Sequence, residues 1–157
     1  MSTGGNFAVL RKANLVAIGS MNRQQEPSIF EVSIGQPSQS FGSQFAFSIR
    51  LGSARVIRSQ DFTLELIQSI STRTNSVDSS SWGIGHVSYG IEGYAFIFQG
   101  DRLVEFKAAD ISLPNGTRLL ATLGDPDCKT FSSLPLTREQ FQTLFGKPDS
   151  EERRKVL

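Results

Sequence analysis

The sequence predicts a mainly β fold of the α+β class: an antiparallel sandwich or barrel-like sheet with one short C-terminal helix packed on it. Three observations lead there. Residues 44–51 alternate strictly, with Phe45, Phe47, Ile49 and Leu51 on one side and Gln44, Ala46, Ser48 and Arg50 on the other. Such alternation belongs to a strand with one buried face. Residues 94–98 and 103–106 are apolar runs flanking Gly100-Asp101, a pair suited to closing a tight hairpin. Near the end, Thr137 and Gln140 have the spacing of a capping box, which marks a helix N-terminus.

Taken in order, residues 1–6 read as a flexible lead. Residues 7–18 are apolar but interrupted by Arg11-Lys12, which predicts one or two strands. Residues 19–27 are polar and loop-like. Residues 29–34 alternate, so Phe30, Val32 and Ile34 are expected on one face. Residues 35–43 are rich in Gly, Pro, Ser and Gln and connect this strand to 44–51. Gly52-Ser53 then turns the chain into a strand over 55–58.

Residues 61–70 fit two periods. Phe62, Leu64 and Leu66 suit a strand, whereas Leu66, Ile67 and Ile70 suit one face of a helix. The strand is preferred, because Thr63 and Glu65 fall on its other face. Residues 71–81 are a polar, low-complexity stretch, expected to be a loop. Residues 82–91 carry Gly83, Gly85 and Gly90, which suggests a bent or bulged strand. Pro114-Asn115-Gly116 is strong turn chemistry and leads into 118–123. The helix is expected over 138–145, with Phe141, Leu144 and Phe145 on its buried face. Leu136 can staple onto Phe141, and Gly146 with Pro148 stops it. Residues 1–148 thus form one β-rich domain, and 149–157 a charged tail, either a further helical turn or an interaction arm.

At 157 residues the chain can bury a core without disulfides or metal. Twelve phenylalanines supply much of its bulk. The single cysteine, Cys128, excludes an intramolecular disulfide and suits a reducing compartment. The first residues lack a secretory pattern, and Ser2 stands where N-myristoylation needs glycine. No apolar run approaches the roughly 20 residues of a membrane-spanning helix. The expectation is a soluble, intracellular protein, and Asn115-Gly116-Thr117 is read as a turn rather than a glycan acceptor.

The residues hold little catalytic chemistry. His86 is the one histidine and Cys128 the one cysteine, and nothing in their spacing supports a nucleophile–base pair with an orienting third group. They are also too few for a zinc site. Gly83-Ile84-Gly85 lacks the third glycine of a dinucleotide fingerprint, since position 88 is serine. Asp101, Glu105, Asp110, Asp125 and Asp127 read as solvated carboxylates near turns. No enzyme activity, cofactor, metal or small-molecule substrate is expected.

Charge is more informative. The net charge is +1, too near zero for a general nucleic-acid binder. Yet residues 1–60 hold six basic and two acidic side chains, a balance of +4, and the rest hold ten and thirteen, a balance of −3. Eleven arginines against five lysines favour bidentate recognition of phosphate. Arg50, Arg55 and Arg58 are expected to project from one side of a hairpin. With Arg11, Lys12 and Arg73 they would form a patch for RNA phosphates or anionic lipid headgroups. The bland alternative is a solvated face with local ion pairs. Phe41 is the one obvious ring near such a patch for base stacking.

Residues 30–51 and 85–112 carry a further impression. Their β patterning, together with the late helix, the lone cysteine, the abundant Ser and Gln and the basic N-terminal half, resembles the small matrix proteins of non-segmented negative-strand RNA viruses. The resemblance implies a self-associating protein that lines a membrane and contacts nucleocapsid or RNA. The Pro-Pro-x-Tyr tetrapeptide of several such proteins is missing here, so the resemblance does not extend to a budding role. A small capsid protein shares most of these features. The leading expectation is therefore a non-enzymatic, homo-oligomeric structural protein of a virion, matrix- or coat-like, with an Arg-rich face. A monomeric single-stranded nucleic-acid-binding β-barrel is one alternative, and a protein-binding adaptor or inhibitor is another.

Overall fold

The computed structural model describes residues 6–35, 45–52, 55–71, 73–77 and 86–155, with the backbone alone at 73 and 75–77. The expected lead at 1–5, the connection at 36–44 with Phe41, and 78–85 lie outside these residues. Two antiparallel sheets face each other. The larger is ordered β13-β1-β2-β3-β9-β8-β7-β6, with β10 on β9; the smaller is β12-β11-β4-β5. Their spans are β1 Asn6–Lys12, β2 Leu15–Met21, β3 Pro27–Ile34, β4 Ser48–Leu51, β5 Arg55–Arg58, β6 Arg73–Val77, β7 His86–Ile91 and β8 Tyr94–Gln99. The remaining five are β9 Arg102–Ser112, β10 Arg118–Leu120, β11 Thr122–Gly124, β12 Phe131–Ser133 and β13 Ser150–Lys155. The mainly β, antiparallel class with a short C-terminal helix is the fold observed.

Local chemistry explains most of it. Residues 7–18 form a hairpin, β1–β2, turned at Ala13 in the left-handed region. Asn115 accepts from Thr117 N–H at 2.9 Å, and Leu113 and Thr117 close the β9–β10 turn. Between the sheets, Phe47 packs edge-on against Phe62 and Phe145, and Phe106 contacts Phe47, Phe62 and Phe96. Ring pairs at such spacings add to the plain burial of apolar area. Gly93, in the β7–β8 turn, has its missing Cβ position 2.5 Å from the Ala109 carbonyl and 2.9 Å from Ala121 N. Only glycine lets the chain pass that close.

The helix α2, Arg138–Phe145, carries the expected capping box: Thr137 accepts from Gln140 N–H, and the Gln140 side chain accepts from Thr137 N–H. Phe141 and Phe145 are buried, as is Leu136 before the cap. Leu136 also exchanges backbone bonds with Ile29, tying the helix start to β3.

Five expectations are corrected. Residues 61–70 contain a second helix, α1, Leu64–Ile70, not a strand; Thr63 is its N-cap and accepts from Leu66 N–H, and Ile67 is buried beneath it. The alternation of Phe62, Leu64 and Leu66 is misleading because Phe62 lies before the cap. Within the expected loop 71–81, residues 73–77 are the edge strand β6, paired with β7. Phe30 is 36% exposed and does not share the buried face of Val32 and Ile34. The β2–β3 register shifts at Ile18/Gly19, which face Glu31 and Ile29, so Phe30 is the extra residue of a bulge. Finally, the charged stretch 150–155 is neither helical turn nor free arm. It is β13, paired along its length with β1. The loop expected at 19–27 is also shorter, since β2 runs to Met21 and β3 begins at Pro27.

Candidate anion-binding face

The hairpin of β4 and β5 sets the geometry. Its register places Ser48 opposite Arg58, Arg50 opposite Val56, and Leu51 opposite Arg55. Opposed residues share a face and neighbours in sequence alternate. Arg50, Val56 and Arg58 therefore lie together on the outer face of the smaller sheet, while Ile49, Leu51 and Ile57 turn inward and are buried. Arg55 has the parity of Ile57, so it belongs to the other side. The expected one-sided trio is a pair.

That pair has a defined setting. Arg58, Ser48, Gly124 and Phe131 form one row across the sheet. The Phe131 ring lies across Gly124, where a Cβ would sit 2.5 Å from two ring carbons. The Arg50 guanidinium stands 4.8 Å from that ring's centroid, within cation–π range. Ser48 is buried and donates to the Asp125 carbonyl at 2.7 Å, and Arg58 Nε donates to the Pro126 carbonyl at 3.2 Å. Among the described residues, neither Arg50 nor Arg58 has a carboxylate within ion-pair distance. Arg118, Arg138, Arg153 and Arg154 all do. Exposed Val56, 39% accessible, lies opposite Arg50 and two residues before Arg58.

The other expected members of the patch lie elsewhere. Arg11 and Lys12 end β1 of the larger sheet, and Lys12 donates to the Lys147 carbonyl. Arg73 begins β6, with β2, β3, β9, β8 and β7 between it and β1. The Gly52-Ser53 turn signalled a hairpin carrying Arg50, Arg55 and Arg58, but their parity and the distant strands decided which could converge. Phe131, which the sequence reading missed, is signalled only by its place opposite Gly124.

The remaining chemistry is dispersed. His86 is buried on β7 of the larger sheet. Cys128 sits in the β11–β12 turn of the smaller one, in the left-handed region. Asp125 accepts from Thr130 and Lys129 N–H groups; these bonds hold its carboxyl below the ordinary range, Thr130 contributing most. A groove of about 440 Å³, lined by Asn22, Glu26, Thr137, Arg138 and Gln142, contains a cation already committed to Glu26 and Glu151. Among the described residues, no group of three or more His, Cys, Asp and Glu is placed to hold a metal ion, and no helix is long and apolar enough to cross a membrane. Comparison with known protein families, with curated proteins and with solved structures finds no match for this chain.

Proposed function

We propose that this chain is a non-enzymatic structural protein, matrix- or coat-like, that associates with itself and contacts RNA phosphates through the Arg50–Arg58 face. One observation carries the reading: two same-face arginines lacking carboxylate partners, one of them backed by an aromatic ring. Guanidinium groups left without a carboxylate partner suit bidentate phosphate contacts. Laid on the Phe131 ring, the Arg50 guanidinium offers a planar group against which a base can stack. RNA is favoured over a lipid surface, because the face offers a planar cation–ring pair and one isolated apolar side chain, Val56, rather than an apolar belt.

The test is fluorescence anisotropy with a labelled single-stranded RNA across a salt series. Wild type is expected to bind with a salt dependence to which each phosphate contact contributes a slope of roughly 0.7. The double variant R50E/R58E should lose about tenfold or more in affinity and flatten the slope, with an unchanged circular dichroism spectrum. Equal binding by the variant would refute the face. Binding to phosphatidylserine vesicles but not to RNA would refute the choice of partner. Light scattering at concentrations on the order of tens of micromolar should give a mass above the monomer, and a strict monomer would favour a solitary RNA-binding module instead.

A further inference from the structure

We infer that β13 is a self-association edge, at which two copies of the chain pair antiparallel about a two-fold axis passing through Arg153. The inference rests on the self-assembly reading above and names its surface.

β13 ends the larger sheet and pairs only with β1 among the described residues. Its outer main-chain groups face away from the sheet, available to a further strand. An antiparallel pairing of identical strands has its two-fold axis perpendicular to the sheet, so each face maps onto itself. Opposed residues must then share parity, which leaves few registers.

The sequence Ser-Glu-Glu-Arg-Arg-Lys discriminates among them. Centred on Arg153, Glu152 meets the partner copy's Arg154 and Glu151 meets its Lys155, each twice. That gives four opposite-charge pairs against one like pair on the axis. Centred on Glu152, Glu151 meets the partner copy's Arg153 twice, but the acid meets itself and Ser150 faces Arg154, which leaves two opposite-charge pairs in place of four. Centred on Arg154, Arg153 faces Lys155. The first register is therefore preferred, since opposite charges across a strand pair attract and like charges repel. The axial Arg153 is eased by Glu151, 3.8 Å away, and by its bond to the Gln25 carbonyl.

The other edge strands among the described residues lack this property. β5 carries two arginines and no acid, β6 a single charge, and β12 is three uncharged residues long. Charged edges commonly repel foreign strands. A self-complementary one repels others while admitting its own copy.

Glu152 and Arg154 suit the test, because both are about half exposed and pair with each other rather than with Arg138. Sedimentation equilibrium would be run on wild type, E152R, R154E and E152R/R154E, with folding checked by circular dichroism. Each single reversal sets like charges opposite one another in its own dimer and is expected to weaken association about tenfold or more. The double swap should restore it. An equimolar mixture of E152R with R154E should form a heterodimer tighter than either homodimer, because every outer-face pair is then opposite. Association indifferent to all these changes would overturn the β13 interface while leaving self-assembly standing. A wild type that stays monomeric throughout would overturn both.

Discussion

The Tyr94 hydroxyl accepts a hydrogen bond from Thr122 N–H at 2.7 Å, joining the first residue of β8 in one sheet to the first residue of β11 in the other. The same oxygen lies 2.9 Å from the carbonyls of Arg50 and Thr122, and its single proton serves one of them at a time. β4 and β11 pair at Ile49–Leu123 and Ser48–Gly124. Tyr94 takes over where that pairing stops. A core side chain thereby also positions the main chain of Arg50.

Replacing Tyr94 by Phe keeps the ring but strands the Thr122 N–H and the Arg50 carbonyl. The expected cost is about 1–3 kcal/mol, read as a lower urea midpoint with an unchanged m-value. The phenol is pushed up to about 12, chiefly by burial and against the Thr122 and Arg50 backbone bonds. An unfolded tyrosine ionises near pH 10. The folded state thus holds this proton more tightly, and the stability linked to it is complete below about pH 10 and lost between about 10 and 12, on the order of 2–3 kcal/mol. Wild type should lose stability over that window by more than Y94F does. Parallel curves would rule out this role for the hydroxyl.

Arg138 joins three segments, donating to Glu26 beside β3 and, with two nitrogens, to Glu151 on β13. R138M is expected to loosen β13 selectively. Hydrogen exchange should quicken at β1 and β13 amides and stay unchanged at β7 and β8. The Arg138 hydrogen bond holds the Glu151 carboxyl below its ordinary range. Its contribution is present above about pH 4.3, the unfolded value, and fades as pH falls through the lower folded one. Solvent exposure limits it to about 1 kcal/mol or less, so the stability gap between wild type and R138M should narrow as pH falls below about 4.3.

Glu105 is the reverse case. Burial first, and Glu31 in addition, raise its carboxyl above the ordinary range, against the pull of Lys107. A raised carboxyl favours folding below the unfolded value of about 4.3, and that contribution disappears as pH rises through the folded one. At neutral pH the charge is therefore a partly screened penalty. E105Q should raise Tm by about 1–2 °C at pH 7 and give no gain at pH 3.5. A lower Tm at pH 7 would count against this account.

Where the pattern of side chains reported burial, the sequence was a sound guide. The inward faces of β4, β8 and β9, the Asn115 turn and the capping box at Thr137 all follow from alternation, turn chemistry and helix-end hydrogen bonding. The misreadings share another origin. β6 and β13 are edge strands with almost no apolar alternation, held by main-chain bonds to β7 and β1. α1 is too short for its period to stand apart from the alternation of Phe62, Leu64 and Leu66. Phe30 leaves the core through a bulge that only the pairing of β2 with β3 defines.

Of the candidate face, the sequence carried the arginines but not their grouping. Arg50 and Arg58 meet because the hairpin register gives them one parity, Arg55 is turned away by the same rule, and Phe131 arrives from a strand remote in sequence. The sequence by itself determined which segments bury a face and where turns and caps interrupt them, since those preferences act within a few residues. Tertiary structure decided which strands lie at edges and which charges share a surface, because main-chain pairing between distant segments leaves almost no trace in local side-chain pattern.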